Sequence, residues 1–260
     1  GIQYFDLAHE LRTDHRFAFR PPPAPLSYSR LPGYPLFMAL VSGVPGESVS
    51  LGRHLRCATL WNVAFDCATA FLLFLTVRAL GLPRPWLVGM LVLLWPTLWL
   101  MSCYALTESL SIALTTVQLY LAVRLVAAPR LRQALFAGLA AGFAQLIRLD
   151  ALCTLPLVLG ACWIAPATRR RKLILAFTYL GVAAVVFSPW PIRNLVRFGR
   201  PYFAATTLRT AVGTPLRTGP IDWMRTWADS APGDAFYELY LVYQHPFEIE
   251  RTGVIQPKIY

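Results

Sequence analysis

The stretch WLVGMLVLLWPTLWLMSCYALTESLSIALTTVQLYLAV, Trp86 to Val123, runs for 38 residues with a single charge, Glu108. One membrane-spanning helix uses about 20 apolar residues. The run is too long for one span and predicts two, with a turn near residues 104–108. Working outward, residues 57–77 predict a third span, which carries one charge, Asp66. Residues 133–147 and 151–168 predict two more, separated by Arg148-Leu149-Asp150, and residues 173–192 a sixth, closed by Pro189-Trp190-Pro191. Residues 31–44 are apolar but short and contain Pro32 and Pro35, so they read as an interfacial or re-entrant piece. The expected fold class is an all-α polytopic membrane protein with about six transmembrane helices plus extracytoplasmic amphipathic and juxtamembrane helices.

Composition agrees. Of 260 residues, 56% are hydrophobic and 14% charged, with mean hydropathy +0.49. Soluble chains carry roughly 25% charged residues. An ordinary soluble domain and a disordered chain are both excluded. The net charge of +11 does not imply a nucleic-acid partner, because the basic residues cluster between apolar runs. Alternate connections hold Arg78 and Arg84, then Arg124, Arg130 and Arg132, then Arg169 to Lys172, nine basic residues against the lone Arg148 on the other side. The positive-inside rule puts the basic set in the cytoplasm. Three regions follow: 1–52 as an extracytoplasmic first loop, 53–192 as the bundle, and 193–260 as an extracytoplasmic segment beginning a longer C-terminal region. The chain reads as a piece of a longer protein.

Tyr4, Leu7, Ala8 and Leu11 share one face of a short amphipathic helix expected to lie on the outer surface. Pro21 to Pro25 predicts an extended stretch, and residues 223–243 predict helical pieces at the interface. Cys57, Cys67, Cys103, Cys153 and Cys162 lie in or beside apolar segments and form no CxxC pair, so neither a disulfide nor a cysteine metal site is expected. No histidine falls at ligand spacing. Small residues from Ala137 to Gly142 imply close helix packing.

Candidate chemistry collects at the expected outer ends of the helices: Asp6 and Arg30 in the first segment, Glu108 at one turn, Arg148 and Asp150 at the next, and Arg193 with Asn194 after the last span. Arginine forks match phosphate oxygens, and a carboxylate can act as a base or hold a metal. Each residue has a plainer alternative. Glu108 reads equally as a solvated turn residue with Thr107 capping the next helix, Arg148 and Asp150 as a local ion pair, and Arg193 and Arg197 as anchors for phospholipid headgroups. Asp66 lies mid-span, four residues after Asn62 on the same face. A packed polar pair between helices is favoured over a functional intramembrane acid.

Four stretches, in order, carry a family resemblance. They are Tyr4-Phe-Asp-Leu-Ala8 with Arg30-Leu-Pro-Gly-Tyr34-Pro-Leu-Phe-Met-Ala-Leu40, then Leu106-Thr-Glu-Ser109, then residues 137–151 ending Leu146-Ile-Arg-Leu-Asp150, and Ser188-Pro-Trp-Pro-Ile-Arg-Asn-Leu-Val-Arg-Phe-Gly199. Over residues 1 to about 230 the chain resembles polytopic glycosyltransferases of the GT-C superfamily (glycosyltransferase family 39, the aminoarabinose transferases of lipid A and the protein O-mannosyltransferases). The resemblance implies transfer of a sugar from a polyprenyl-phosphate donor to a lipid, glycan or protein acceptor on the extracytoplasmic face of a bacterial plasma membrane. It implies catalytic carboxylates at Asp6 and Glu108, and substrate or phosphate contacts from Arg30, Tyr34, Arg148, Asp150, Arg193 and Asn194. A divalent metal is compatible with such a donor, though a monophosphate does not require one. The family's general base precedes a tyrosine by four residues. Matched to Tyr4, it falls just before Gly1, so Asp6 is off the motif position. Leu149 stands where the family often has proline. Two other function classes remain open: a transporter or lipid flippase, which should line a midplane path with its charges, and a noncatalytic membrane assembly subunit.

Overall fold

A computed structural model describes residues 2–18, 30–43, 50–104, 106–199 and 201, all within one compact unit, Ile2–Thr207. The expected extended stretch at Pro21–Pro25 and the helical pieces in 223–243 lie outside the described residues. So does nearly all of 193–260.

Among the described residues the fold is all-helical. In chain order the helices are α1 (Ile2–Thr13), α2 (Gly33–Val41), α3 (Leu51–Ala79), α4 (Pro85–Leu93), α5 (Pro96–Ser102), α6 (Glu108–Ala127), α7 (Leu131–Ile147), α8 (Leu155–Ile164), α9 (Arg169–Phe187) and α10 (Pro189–Phe198). A 3-10 turn, Leu149–Thr154, joins α7 to α8. Local chemistry sets several boundaries. Ser50 and Thr168 accept the amides of Arg53 and Arg171, capping α3 and α9. Pro96 has no N–H to continue α4 and holds Trp95 extended, so α4 and α5 meet at 51°. Pro189 opens α10 after α9 at a 40° bend.

Two helices, α3 and α6, are long and apolar enough to cross a membrane, or up to four spans exist if each bent pair counts as one. The six expected apolar segments all become helical, but not all as full spans. With 17 residues, α7 is roughly 26 Å long, short of a core of about 30 Å. The segment 151–168 loses its start to the 3-10 turn, leaving ten residues in α8. The short apolar piece 31–44 is the nine-residue α2.

The distribution of polarity fits a membrane protein. The buried face of α3 holds His54, Asn62, Asp66, Thr69 and Thr76, while Leu60, Val63 and Phe71 face outward. Water would favour the reverse. An apolar surround tolerates it, provided the inward polar groups find partners.

One core joins α6 to α9 through Ala122, Leu125, Ala134, Ala137, Ala141, Val158, Leu175, Tyr179 and Ala183. The small residues of α7 matter here as expected. A Cβ on Gly138 would stand 2.6 Å from the Tyr179 carbonyl oxygen, and one on Gly142 2.5 Å from Val186 Cβ. A second core packs α1 on α2 with Tyr4, Ala8, Tyr34, Met38, Ala58, Leu110 and Ile147. The apolar face of α1 is therefore buried inside the protein, with Leu7 and Ala8 inaccessible. That corrects the expectation of a helix lying on the outer surface: α2 and the ends of α6 and α7 cover Tyr4 and Ala8, and Phe17, Leu31 and Trp190 cover Leu7, where lipid would otherwise have covered the stripe.

Candidate functional site

The turn before α6 and the turn after α7 meet, although 40 residues separate Glu108 from Arg148. Arg148 Nη1 donates to Glu108 Oε1 at 2.7 Å, and its Nε and Nη2 donate to the Asp150 carboxylate at 2.9–3.2 Å. Two sequence features bring this about. Residues 128–130 are a short connection that returns α7 antiparallel to α6. Arg148 then adopts an extended backbone (φ −144°, ψ 130°), which ends α7 and turns Asp150 back toward its guanidinium. Thr107 does not cap α6 with its side chain. Its hydroxyl instead donates to Glu108 Oε2 and accepts from Arg148 Nη1, both at 3.4 Å.

Glu108 is thus no solvated turn residue: its side chain is 25% exposed and that of Arg148 22%, while Asp150 remains 60% exposed. Burial disfavours the guanidinium's charge. The hydrogen bond to Asp150 and the charges of Glu108 and Asp150 together outweigh burial, and hold the Arg148 pKa above its ordinary value. The local pair expected of Arg148 and Asp150 exists, extended by a long-range arm to Glu108.

The first segment reaches this end of the bundle through Tyr4, which packs in one core with Leu110 and Ile147, close in sequence to Glu108 and Arg148. The Arg30 guanidinium stands 5.7 Å from the centre of the Tyr4 ring, and Tyr34 meets that ring edge-on at 5.1 Å. Gly33 makes this approach possible. A Cβ there would lie 2.7 Å from the Leu146 carbonyl, so only glycine lets α2 start against the end of α7. Tyr34 itself is 1% exposed. It packs beneath the site, beside the Tyr4 and Phe37 rings. Asp6 is half-buried on α1, two residues from Tyr4 and so about 200° round the helix from it.

Arg193 and Asn194 form a separate group. Asn194 is fully buried and accepts from Arg193 Nη1 at 2.8 Å. It orients the arginine from inside. The Arg193 guanidinium lies 5.2–5.5 Å from the ring centres of Trp190, Phe198 and Phe17.

Two polar groups within the bundle are structural. Asn62 does not bond Asp66. Its Nδ2 donates to the Tyr104 carbonyl at 2.7 Å, and the Ser102 hydroxyl donates to Asp66 Oδ2. The pair therefore ties α3 to the end of the broken α4–α5 segment. Gln118, buried in α6, accepts from Tyr179 Oη at 3.1 Å and Thr154 Oγ1 at 2.9 Å. Nothing in the sequence singled out this node, though a lone glutamine in an apolar run is a usable signal. Among the described residues no group of three or more His, Cys, Asp or Glu side chains stands together as a metal site. Glu108 Oε1 and both Asp150 oxygens accept from Arg148, which leaves Glu108 Oε2 as the one carboxylate oxygen of the cluster not bonded to it. The residues described do not fit a divalent ion there.

No protein-family model, no curated protein and no solved structure matches the chain.

Proposed function

We propose that this protein is a polytopic glycosyltransferase of the GT-C type, which moves a sugar from a polyprenyl-phosphate donor to a lipid, glycan or protein hydroxyl on the extracytoplasmic face of the membrane. The observation that carries the reading is the ion-paired meeting of the Thr107–Glu108 and Arg148–Asp150 turns, with Tyr4 packed on the adjoining Leu110 and Ile147 and Arg30 set over its ring. The alternating basic connections assign that end to the outside, with six spans formed by α3, α4–α5, α6, α7, the 3-10 turn with α8, and α9.

In the transfer, the acceptor oxygen attacks the sugar's anomeric carbon and the bond to the phosphate oxygen breaks. A carboxylate takes the hydroxyl proton, and cationic groups receive the charge left on the phosphate. Arg148 fixes Glu108 by its Oε1, leaving Oε2, only loosely held by Thr107, as the oxygen turned to the acceptor. Arg30, set over Tyr4, is the cation for the departing phosphate. Asp6 is the other carboxylate of the first segment.

Transport is the second reading, and Asp66 favours it: it is buried, and its Oδ1 has no hydrogen-bond partner. Against that, its other oxygen and Asn62 are used to tie two helices together. The test is transfer from radiolabelled polyprenyl-phosphate sugars to a membrane acceptor extract, in proteoliposomes of the full-length gene product. Loss of transfer in Glu108→Gln at unchanged expression supports the transferase. If the folded wild-type protein releases sugar from no donor, the proposal fails and a flux assay on Asp66→Asn takes its place.

A further inference from the structure

A cavity of about 390 Å³ lies between the C-terminal end of α1 and α10, lined by Leu11, His15, Arg16, Phe17, Arg193 and Arg197. Ligand pockets run from roughly 300 to 1,000 Å³, so it has room for a headgroup. Among the described residues, three guanidiniums and an imidazole line it. Glu10, whose carboxyl senses the charge of Arg16, lies outside the lining.

The walls are built rather than incidental. Arg193 and Arg197 stand one turn apart on the same face of α10. The rings of Phe17 and Trp190 flank Arg193, and Asn194 holds it from below. His15 has φ 52°, a left-handed conformation that non-glycine residues rarely adopt. That turn reverses the chain after α1 and lays Phe17 over Arg193. Beside the cavity, α10 leaves Ile192, Leu195 and Val196 exposed. A helix with basic groups on one face and an uncovered apolar face suits the interface between headgroups and acyl chains.

We infer that this cavity holds the phosphate of an anionic glycerophospholipid from the surrounding leaflet, with its acyl chains laid along Ile192, Leu195 and Val196. Arginine forks supply paired N–H donors to phosphate oxygens. A reacting lipid is the less suitable occupant. The carboxylate cluster joins α1 at Tyr4, seven residues and about 10 Å along the helix from Leu11. The inference is independent of the transferase proposal, because it is read from lipid retention and not from turnover.

The experiment is native mass spectrometry of the detergent-purified full chain, titrated separately with phosphatidylglycerol, phosphatidylcholine, polyprenyl phosphate and inorganic phosphate. Wild type is compared with Arg16→Gln/Arg197→Gln and with Arg16→Lys/Arg197→Lys. Phosphatidylglycerol should bind in preference to phosphatidylcholine. The glutamine pair should weaken it about 100-fold, at roughly ten-fold per charge-assisted contact, and the lysine pair should recover part of that. Equal retention of phosphatidylcholine overturns the inference, as does unchanged retention in a glutamine pair that melts like wild type. If the glutamine pair does not fold, the lysine pair decides: binding as tight as wild type refutes the arginine forks. Displacement of phosphatidylglycerol by equimolar polyprenyl phosphate would assign the cavity to a donor lipid. Equal stabilisation by inorganic phosphate at the same concentration would assign it to a soluble anion.

Discussion

Replacing Arg148 by methionine removes the one cation shared by two carboxylates while keeping much of the side chain's volume. The Glu108 arm is a 2.7 Å contact between side chains about three-quarters buried. Stripping the partner from a fully buried pair costs about 3–5 kcal/mol, and from an exposed pair about 0–1 kcal/mol. The Glu108 arm lies between these limits, at about 2–3 kcal/mol. Asp150 is 60% exposed, so its bidentate contact adds less than about 1 kcal/mol in spite of good geometry. The total is about 3 kcal/mol. A chain of this size loses roughly 2–4 °C of Tm per kcal/mol, so Arg148→Met should melt about 6–12 °C below wild type. Arg148→Lys should lose about half as much, because a point charge satisfies one carboxylate and not both. Glu108→Gln placed on Arg148→Met should restore at least about 1 kcal/mol, since a neutral amide needs no counter-charge. The assay is thermal unfolding in one detergent at fixed ionic strength. An Arg148→Met protein that melts within about 1 °C of wild type, or a double variant no better than the single, would refute the claim that partial burial makes this pair matter.

Three further outcomes are expected. Burial and then the nearby Asp14 raise the Glu10 pKa above 4.5, so its charged form burdens the folded state and stability falls as pH rises from that value through the folded pKa. Glu10→Gln should therefore melt higher than wild type at pH 7, with the gain vanishing below about pH 4, in a pair of pH-melting series. Gly138→Ala puts a methyl group 2.6 Å from a backbone oxygen that cannot yield. Melting should show a net loss of about 1–2 kcal/mol despite better helix propensity, whereas Gly160→Ala, with open space around it, should be neutral or stabilising by up to about 1 kcal/mol. Asn62→Leu removes the side-chain donor that ties α3 to the Tyr104 carbonyl, which keeps only the Leu106 amide, and should cost about 1 kcal/mol, with faster proteolysis near residues 94–104 as the second readout.

Much of the helical layout is legible from residue type alone. The run from Trp86 to Val123 divides where expected because Tyr104 to Thr107 cannot continue either helix as an apolar rod. The glycines of α7 announce close packing because only a missing Cβ allows it. The break between α4 and α5 hides in a run of uniform hydropathy, since proline changes backbone geometry without changing polarity. The shortness of α7 and α8 as spans is similarly invisible: hydropathy measures what a segment prefers to touch, not how far its helix extends.

At the candidate site, the sequence by itself determined that Glu108, Arg148 and Asp150 lie at helix ends, because charges are expelled from apolar runs. It could not determine that the Arg148 guanidinium joins both carboxylates, because that depends on α7 returning antiparallel to α6. It gave no sign that the stripe of α1 is covered by α2, that Tyr34 and Asn194 are buried, or that Arg193 and Arg197 share a cavity with Arg16. Periodicity says that a face is apolar. Only the tertiary structure decides whether lipid or protein covers it, because both satisfy the same hydrophobic requirement.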